Sequence, residues 1–252
     1  MGCPPGQPTA ISLATQPEVK LTFASYNIHK AIGLDRRRDP DRILAVLREI
    51  DADVVALQES DRRFGRRMSA LPLAAIEQHT HYKPVPIGGK PDSIGWHGNA
   101  ILVRRNMIVA ESAIVPLPTL EPRGAIRANL IADGKRIRIV AMHLDLSGLR
   151  RRQQVRTVLH HIADCPGDCP TVLLGDLNEW SRNGGALREF NHDWRVLAPG
   201  RSFPSRRPVA QLDRIVVSAG WNILDCNVHH SALASRASDH LPVWAHLELP
   251  KI

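Results

Sequence analysis

Three short stretches set far apart in the chain join apolar runs to ionisable or amide side chains: VVALQES at 54–60, VLLGDLNEW at 172–180 and SDHLPVW at 238–244. Each reads as a buried strand delivering side chains to a common rim: Glu59 from the first, Asp176 and Asn178 from the second, Asp239 and His240 from the third. Carboxylates, an amide and an imidazole gathered at strand ends can hold a hard divalent cation and activate a water. The chemistry they predict is metal-dependent hydrolysis of a phosphate ester.

Each residue has a chemical role and a plainer alternative. Glu59 supplies the oxygen ligand a magnesium-type ion prefers, or simply closes a strand at the surface. Asn27 and His29, two apart in FASYNIHK, fall on one strand face. Asn27 can hold a carboxylate or the water of a metal, and His29 with Lys30 can face a phosphate. Asp176 paired with the neutral amide of Asn178 suits positioning and deprotonating a water without a second repelling charge, although Asx turns look similar. His143, closing IRIVAMHLD, can donate to a phosphoryl oxygen as charge builds. Asp145 lies two residues on and is a plain pairing partner for it. Asp239 beside His240 can fix the imidazole tautomer and raise its basicity.

These residues need a scaffold of strands. The chain has 252 residues and 43% hydrophobic content, enough for a substantial core and against global disorder. Nine apolar, β-branched runs recur: LTFASYNI, DVVALQE, NAILVRR, IRANLIA, IRIVAMHLD, TVLLGDL, LDRIVVS, WNILDCNV and PVWAHLEL. Asp39-Pro40 predicts a capped helix over 39–50 with Ile43, Leu44, Leu47 and Ile50 on one face. A second helix after Ser147 places Val155, Val158, Leu159 and Ile162 together and turns Arg150, Arg151, Arg152 and Arg156 outward. Many strands with few helices predict an α/β sandwich of four layers, two packed mixed sheets with helices outside. Residues 1–18 read as a loose tail and 19–252 as one domain.

No run is long enough to span a membrane, and the N-terminus lacks the pattern of a secretory leader. The four cysteines, Cys3, Cys165, Cys169 and Cys226, show no zinc-ribbon pairing and read as free thiols. A cytoplasmic protein, peripheral at a membrane if membrane-bound at all, is the expectation. Formal net charge is +8, which favours an anionic partner. The arginine-rich segments 62–67 and 150–156 suit a nucleic acid, or else are solvated faces. Aromatic residues are only 4%, which argues against an extended base-stacking platform. Trp96 and Trp180, near motif ends, could line a cleft.

The ordered set NIHK, LQE, GNAIL, MHL, GDLN, LDRI and SDH, spread over residues 21–248, resembles the endonuclease/exonuclease/phosphatase superfamily. That group includes pancreatic deoxyribonuclease, abasic-site endonucleases, inositol polyphosphate 5-phosphatases and neutral sphingomyelinases. The resemblance implies a deoxyribonuclease I-like sandwich and a magnesium cofactor, or manganese in its place. It implies Glu59 as principal metal ligand with Asn27 and Asp239 beside it, and Asp176 positioning or deprotonating a water that Asn178 orients. His143 would stabilise the phosphate, with His29, Lys30 and Asn99 contacting it. Asp213 would lie by the metal or leaving group. Asp239 would orient His240, which acts as base or electrostatic stabiliser. Abasic-site endonucleases carry an aspartate where this chain has His29, which weakens a DNA-repair reading. The substrate expected is an anionic phosphoester, of nucleic acid or of a phospholipid headgroup, handled by a monomer. A phosphate-binding protein without turnover is the non-enzymatic alternative.

Overall fold

The structure is a computed structural model that describes residues 18–62, 68–88, 92–119, 123–165, 167 and 169–249. The expected N-terminal tail and most of the basic run 62–67 fall outside these residues. In chain order the elements are β1 (Val19–Asn27), α1 (Pro40–Ile50), β2 (Val54–Gln58), α2 (Leu73–His79), β3 (Tyr82–Pro84), β4 (Ala100–Arg104), β5 (Ile108–Val115), β6 (Gly124–Ala132) and β7 (Lys135–His143). They continue with α3 (Gly148–Ala163), β8 (Thr171–Asp176), β9 (Trp194–Leu197), β10 (Asp213–Ser218), β11 (Asn222–Val228), α4 (Ala234–Ala237) and β12 (Val243–Leu249).

All nine apolar runs form strands. The three further strands, β3, β5 and β9, each lie at an edge of a sheet. An edge strand pairs on one side only and tolerates polar exposure, so β5 shows no continuous apolar run and only Val115 of it is buried. The sheets run β11-β12-β1-β2-β4-β3 and β5-β6-β7-β8-β10-β9. Each is antiparallel except for one central parallel pair, β1/β2 in the first and β7/β8 in the second. A parallel pair needs a crossover, and α1 and α3 supply the two.

Both helices follow from local chemistry. Asp39 caps α1 by accepting from the Arg42 amide at 3.1 Å, Pro40 opens it, and Ile43, Leu44 and Leu47 are buried beneath it. Val155 and Val158 anchor α3. One expectation there is corrected: Arg151 is buried rather than solvated, because it sits four residues before Val155 on the packed face. Its guanidinium reaches Glu179 at 3.4 Å, while Arg152 and Arg156 both pair with Glu189. Three of the 150–156 arginines are thus ion-paired within the chain, Arg151 in the interior and Arg152 and Arg156 at the surface.

Three apolar layers separate four structural ones. Phe23, Val54, Ala56, Ile139, Leu174 and Ile215 fill the space between the sheets. Tyr26, Leu57, Ile43 and Ile76 bind helices to the outer face of the first sheet, and Val140, Leu173, Val216 and Val155 do so for the second. The molecule is an α/β sandwich of helix, sheet, sheet and helix. Cys165 and Cys226 are free thiols, and Cys169 Sγ donates to the Arg136 carbonyl at 3.4 Å.

Gly175 sets the spacing of the central pair just before Asp176. A Cβ there would stand 1.8 Å from the Met142 carbonyl oxygen of β7. Gly175→Ala is therefore expected to cost about 2 kcal/mol or more by forcing β7 and β8 apart. A lowered thermal midpoint checks this, and an unchanged midpoint refutes the close approach.

Candidate active site

The alternation that fills the core between the sheets also carries polar groups to its rim. Along β8, Val172 and Leu174 point into that core and Asp176 follows in the same phase. On β7, Ile137, Ile139 and Ala141 lead to His143. On β10, Asp213 precedes Ile215 and Val217. On β1, Phe23 is followed in phase by Ser25 and Asn27. The carboxyl ends of both parallel pairs thus meet across the seam between the sheets.

Asp176 is the centre of this seam and is 2% exposed. Asn27 Nδ2 donates to its Oδ2 at 3.1 Å, and the Asn178 amide donates to its Oδ1 at 2.9 Å. His143 Nε2 stands 3.4 Å and His240 Nε2 3.7 Å from the same Oδ2. His240 Nδ1 is 2.9 Å from Asp213 Oδ2, which also accepts from the Ser202 hydroxyl. Asp213 is fully buried and its Oδ1 has no hydrogen-bond partner among the described residues.

Charge organises the cluster. Burial alone would favour neutral forms, but the Asp213 and Asp176 carboxylates overcome it and push His240 up to about 10. Burial likewise opposes ionisation of Asp176, yet the His240 charge and the His143 hydrogen bond hold it well below the usual carboxylate range. At neutral pH the seam holds an imidazolium between two carboxylates.

The orienting partner of His240 is Asp213, not Asp239 as the sequence suggests. The Asp239 carboxylate is turned away from the ring, 3.3 Å from the Ser238 hydroxyl and 3.8 Å from His29 Nδ1. His143 does not pair with Asp145, whose Oδ1 accepts from the Ser147 amide at 2.9 Å. Strand alternation does not extend to His29: residues 29–31 form a turn with positive φ, and the His29 amide donates to Asn27 Oδ1 at 3.1 Å. Glu59 also leaves the strand phase. Gln58 takes the inner face, and a φ of 54° at Glu59 turns its carboxylate onto the Lys30 ammonium. Burial opposes the Glu59 charge, but His143, Lys30 and His29 hold its carboxyl below the usual range.

Two expectations shift in character. Asn99 is fully buried and donates to the Gly124 carbonyl at 3.1 Å, so it braces the sheets and offers no exposed amide to a phosphate. Asn178 spends an amide hydrogen on the Leu144 carbonyl at 2.9 Å while its backbone holds Asp176, which makes it a clamp on the tips of β7 and β8. Trp180 is exposed at the rim, whereas Trp96 packs against the core and stacks on His97.

Arg123 was missed in the sequence. Its Nη1 contacts His143 Nε2 and donates to the Leu144 carbonyl at 2.9 Å. No motif marks it; only the antiparallel register pairing Gly124 with His143 brings it there.

The donor set suits a hard divalent cation. Asp176 and Asp213 offer carboxylate oxygens that lie, with a His240 ring nitrogen, within 4.8 Å of one another, and His240, as an imidazolium, gives its charge rather than a lone pair. One Asp213 oxygen is unclaimed by the described residues, and Glu59 already draws a cationic group at the rim.

Comparison with known proteins agrees with this architecture. A model of the Endonuclease/Exonuclease/phosphatase family matches residues 24–240. The uncharacterised protein YbhP of Escherichia coli K12 is 26% identical over 254 residues, covering 88% of this chain and 94% of that one. The structure of D. rerio TDP2 complexed with a single-strand DNA product superimposes with a TM-score of 0.69 at 19% identity, over 90% of this chain and 98% of that one. A mannosyl-6-phosphatase from Bacteroides thetaiotaomicron superimposes with a TM-score of 0.69 at 18% identity, over 90% and 99%.

Proposed function

Since the chain belongs to the endonuclease/exonuclease/phosphatase family, we propose that it is a divalent-metal-dependent hydrolase cleaving phosphodiester, or phosphomonoester, bonds by attack of an activated water on phosphorus. The observation that carries this reading is the buried line Asp213–His240–Asp176, with His143 and Asn27 meeting the same Asp176 oxygen. The catalytic unit runs through residues 19–252 as one domain.

Asp176 holds the attacking water and receives its proton, steadied by Asn27 and by the Asn178 amide. His240, oriented by Asp213, keeps an imidazolium at the seam where negative charge grows on the phosphoryl oxygens. His143 and Arg123 form a second donor edge beside it. Glu59 would hold the cation, with Asn27 and Asp239 near it, and the cation would neutralise phosphoryl charge and favour departure of the leaving group. Lys30 then exchanges its partner, Glu59, for substrate phosphate, and His29 lines the same rim. Support for phosphoester chemistry comes from the family and from relatives such as the mannosyl-6-phosphatase.

Bis-p-nitrophenyl phosphate with magnesium or manganese is the direct test. Turnover is expected with either ion, lost with chelator and restored by added metal. Glu59→Gln should raise the metal concentration for half-maximal rate by about tenfold or more. Metal-independent turnover contradicts the reading, and so does none at all.

A further inference from the structure

Large apolar side chains usually avoid water, yet several stand exposed around the mouth of the seam. Leu149 is 79% exposed, Trp180 63%, Leu146 62% and Val209 58%. Hydrogen bonds, ring contacts and chain position tie all four to the site. Leu146 and Leu149 follow directly on His143 and Asp145, and Arg151 donates to the Leu146 carbonyl at 2.6 Å while its other nitrogens reach Glu179. Trp180 is the next residue, and its ring meets Phe203 edge-on with centroids 6.4 Å apart. Phe203 in turn lies 4.7 Å from the His240 ring. Val209 closes the same loop through its amide to the Phe203 carbonyl at 2.8 Å. The apolar side chains therefore lie on the turn into α3 and on two loops, one of which packs on His240 through Phe203.

The surroundings are basic. Arg182, Arg201, Arg206 and Arg207 are exposed on the same loops. Beyond Ser205, whose amide donates to the Asp239 carbonyl at 2.7 Å, a cavity of about 510 Å³ is lined by Arg42, Arg206 and Arg236 with Leu34 and Asp35. Apolar tips ringed by arginines match the boundary between anionic headgroups and acyl chains. A polynucleotide would satisfy the arginines but could bury the aliphatic leucines and valine only by unstacking bases, at a free-energy cost for each step. No helix among the described residues is long and apolar enough to cross a membrane, so the contact would be peripheral.

We propose that this end of the molecule docks on an anionic phospholipid surface, seating Leu146, Leu149, Trp180 and Val209 at the headgroup–acyl boundary. The scissile phosphoester then reaches the seam from a lipid layer. That last step rests on the hydrolytic reading above; the docking itself does not.

The test is partition of the full chain onto vesicles of phosphatidylglycerol and phosphatidylcholine against vesicles of phosphatidylcholine alone, at physiological salt. Preferential binding to the anionic vesicles is expected. The Leu146→Ser/Leu149→Ser variant should lose at least about tenfold in partition, since two side chains leave the boundary. Its thermal midpoint should be unchanged because both positions are exposed. Brominated acyl chains should quench tryptophan emission, and Trp180→Phe should remove that quenching. Absence of vesicle binding overturns the proposal, as does binding undiminished in the leucine variant. Salt-sensitive binding of duplex DNA without vesicle binding overturns it in favour of a nucleic acid. Partition is read without turnover. A chain that hydrolyses bis-p-nitrophenyl phosphate and ignores vesicles overturns docking alone. One that docks and hydrolyses nothing upholds docking and removes the catalytic reading.

Discussion

Asp176→Asn is expected to lower phosphodiester turnover on the order of a thousandfold, within the range lost when a positioned general base is removed. The substitution keeps shape and removes charge. It should also cost about 1–3 kcal/mol of stability, for a reason visible in the hydrogen bonds. Asp176 Oδ1 accepts from the Asn178 amide and Oδ2 accepts from Asn27 Nδ2. An asparagine must turn its NH2 toward one of these donors, so one buried contact becomes donor against donor. Initial rates on bis-p-nitrophenyl phosphate, with a thermal melt of the same preparation, read both effects. Near-normal turnover would remove Asp176 from the chemistry, whatever the melt shows.

Asp213→Asn should be almost as severe, with turnover falling by about a thousandfold to ten-thousandfold, as when a triad loses the carboxylate that orients its histidine. The His240 ring receives its Nδ1 contact from Asp213 and, among the described residues, from no other carboxylate so close. With the charge gone, His240 loses both its orientation and the first of the three carboxylates, Asp213, Asp176 and Asp239, that keep it protonated. A downfield Nδ1–H proton resonance should vanish in Asp213→Asn and persist in Asp239→Asn. The reverse pattern would restore Asp239 as the orienting group and undo the geometric assignment.

That contrast marks the boundary of what the chain displays as a sequence. Wherever alternation runs unbroken, the sequence speaks clearly. Val172, Leu174 and Asp176 share one face, as do Ile139, Ala141 and His143, so both the strands and the residues at their ends are legible. The same holds for α1, where Asp39 and Pro40 state the start of the helix. Legibility fails where the backbone leaves its regular period. Positive φ at His29, Lys30 and Glu59 moves those side chains off the face that counting assigns them. It fails again where partners meet only through tertiary register. Asp213 reaches His240 from 27 positions away, and Arg123 reaches His143 because β6 and β7 pair. Adjacency of Asp239 and His240 suggests a pair, but the Asp239 carboxylate faces Ser238 and His29 instead. Arg151 differs again, since its spacing from Val155 already placed it on the buried face of α3, and only its charge argued for solvent. The edge strands β3, β5 and β9 stayed hidden because half-exposed strands need no apolar run.

The central claim is that a water held at Asp176 attacks phosphorus, and one isotope measurement meets it directly. A single turnover of a phosphodiester in water enriched in oxygen-18, with magnesium or manganese present, should place the label in the phosphate-bearing product and none in the released alcohol. Label in the alcohol would mean cleavage on the carbon side of the ester oxygen, and the seam built from Asp176, His240 and Asp213 would then not be the hydrolytic centre described.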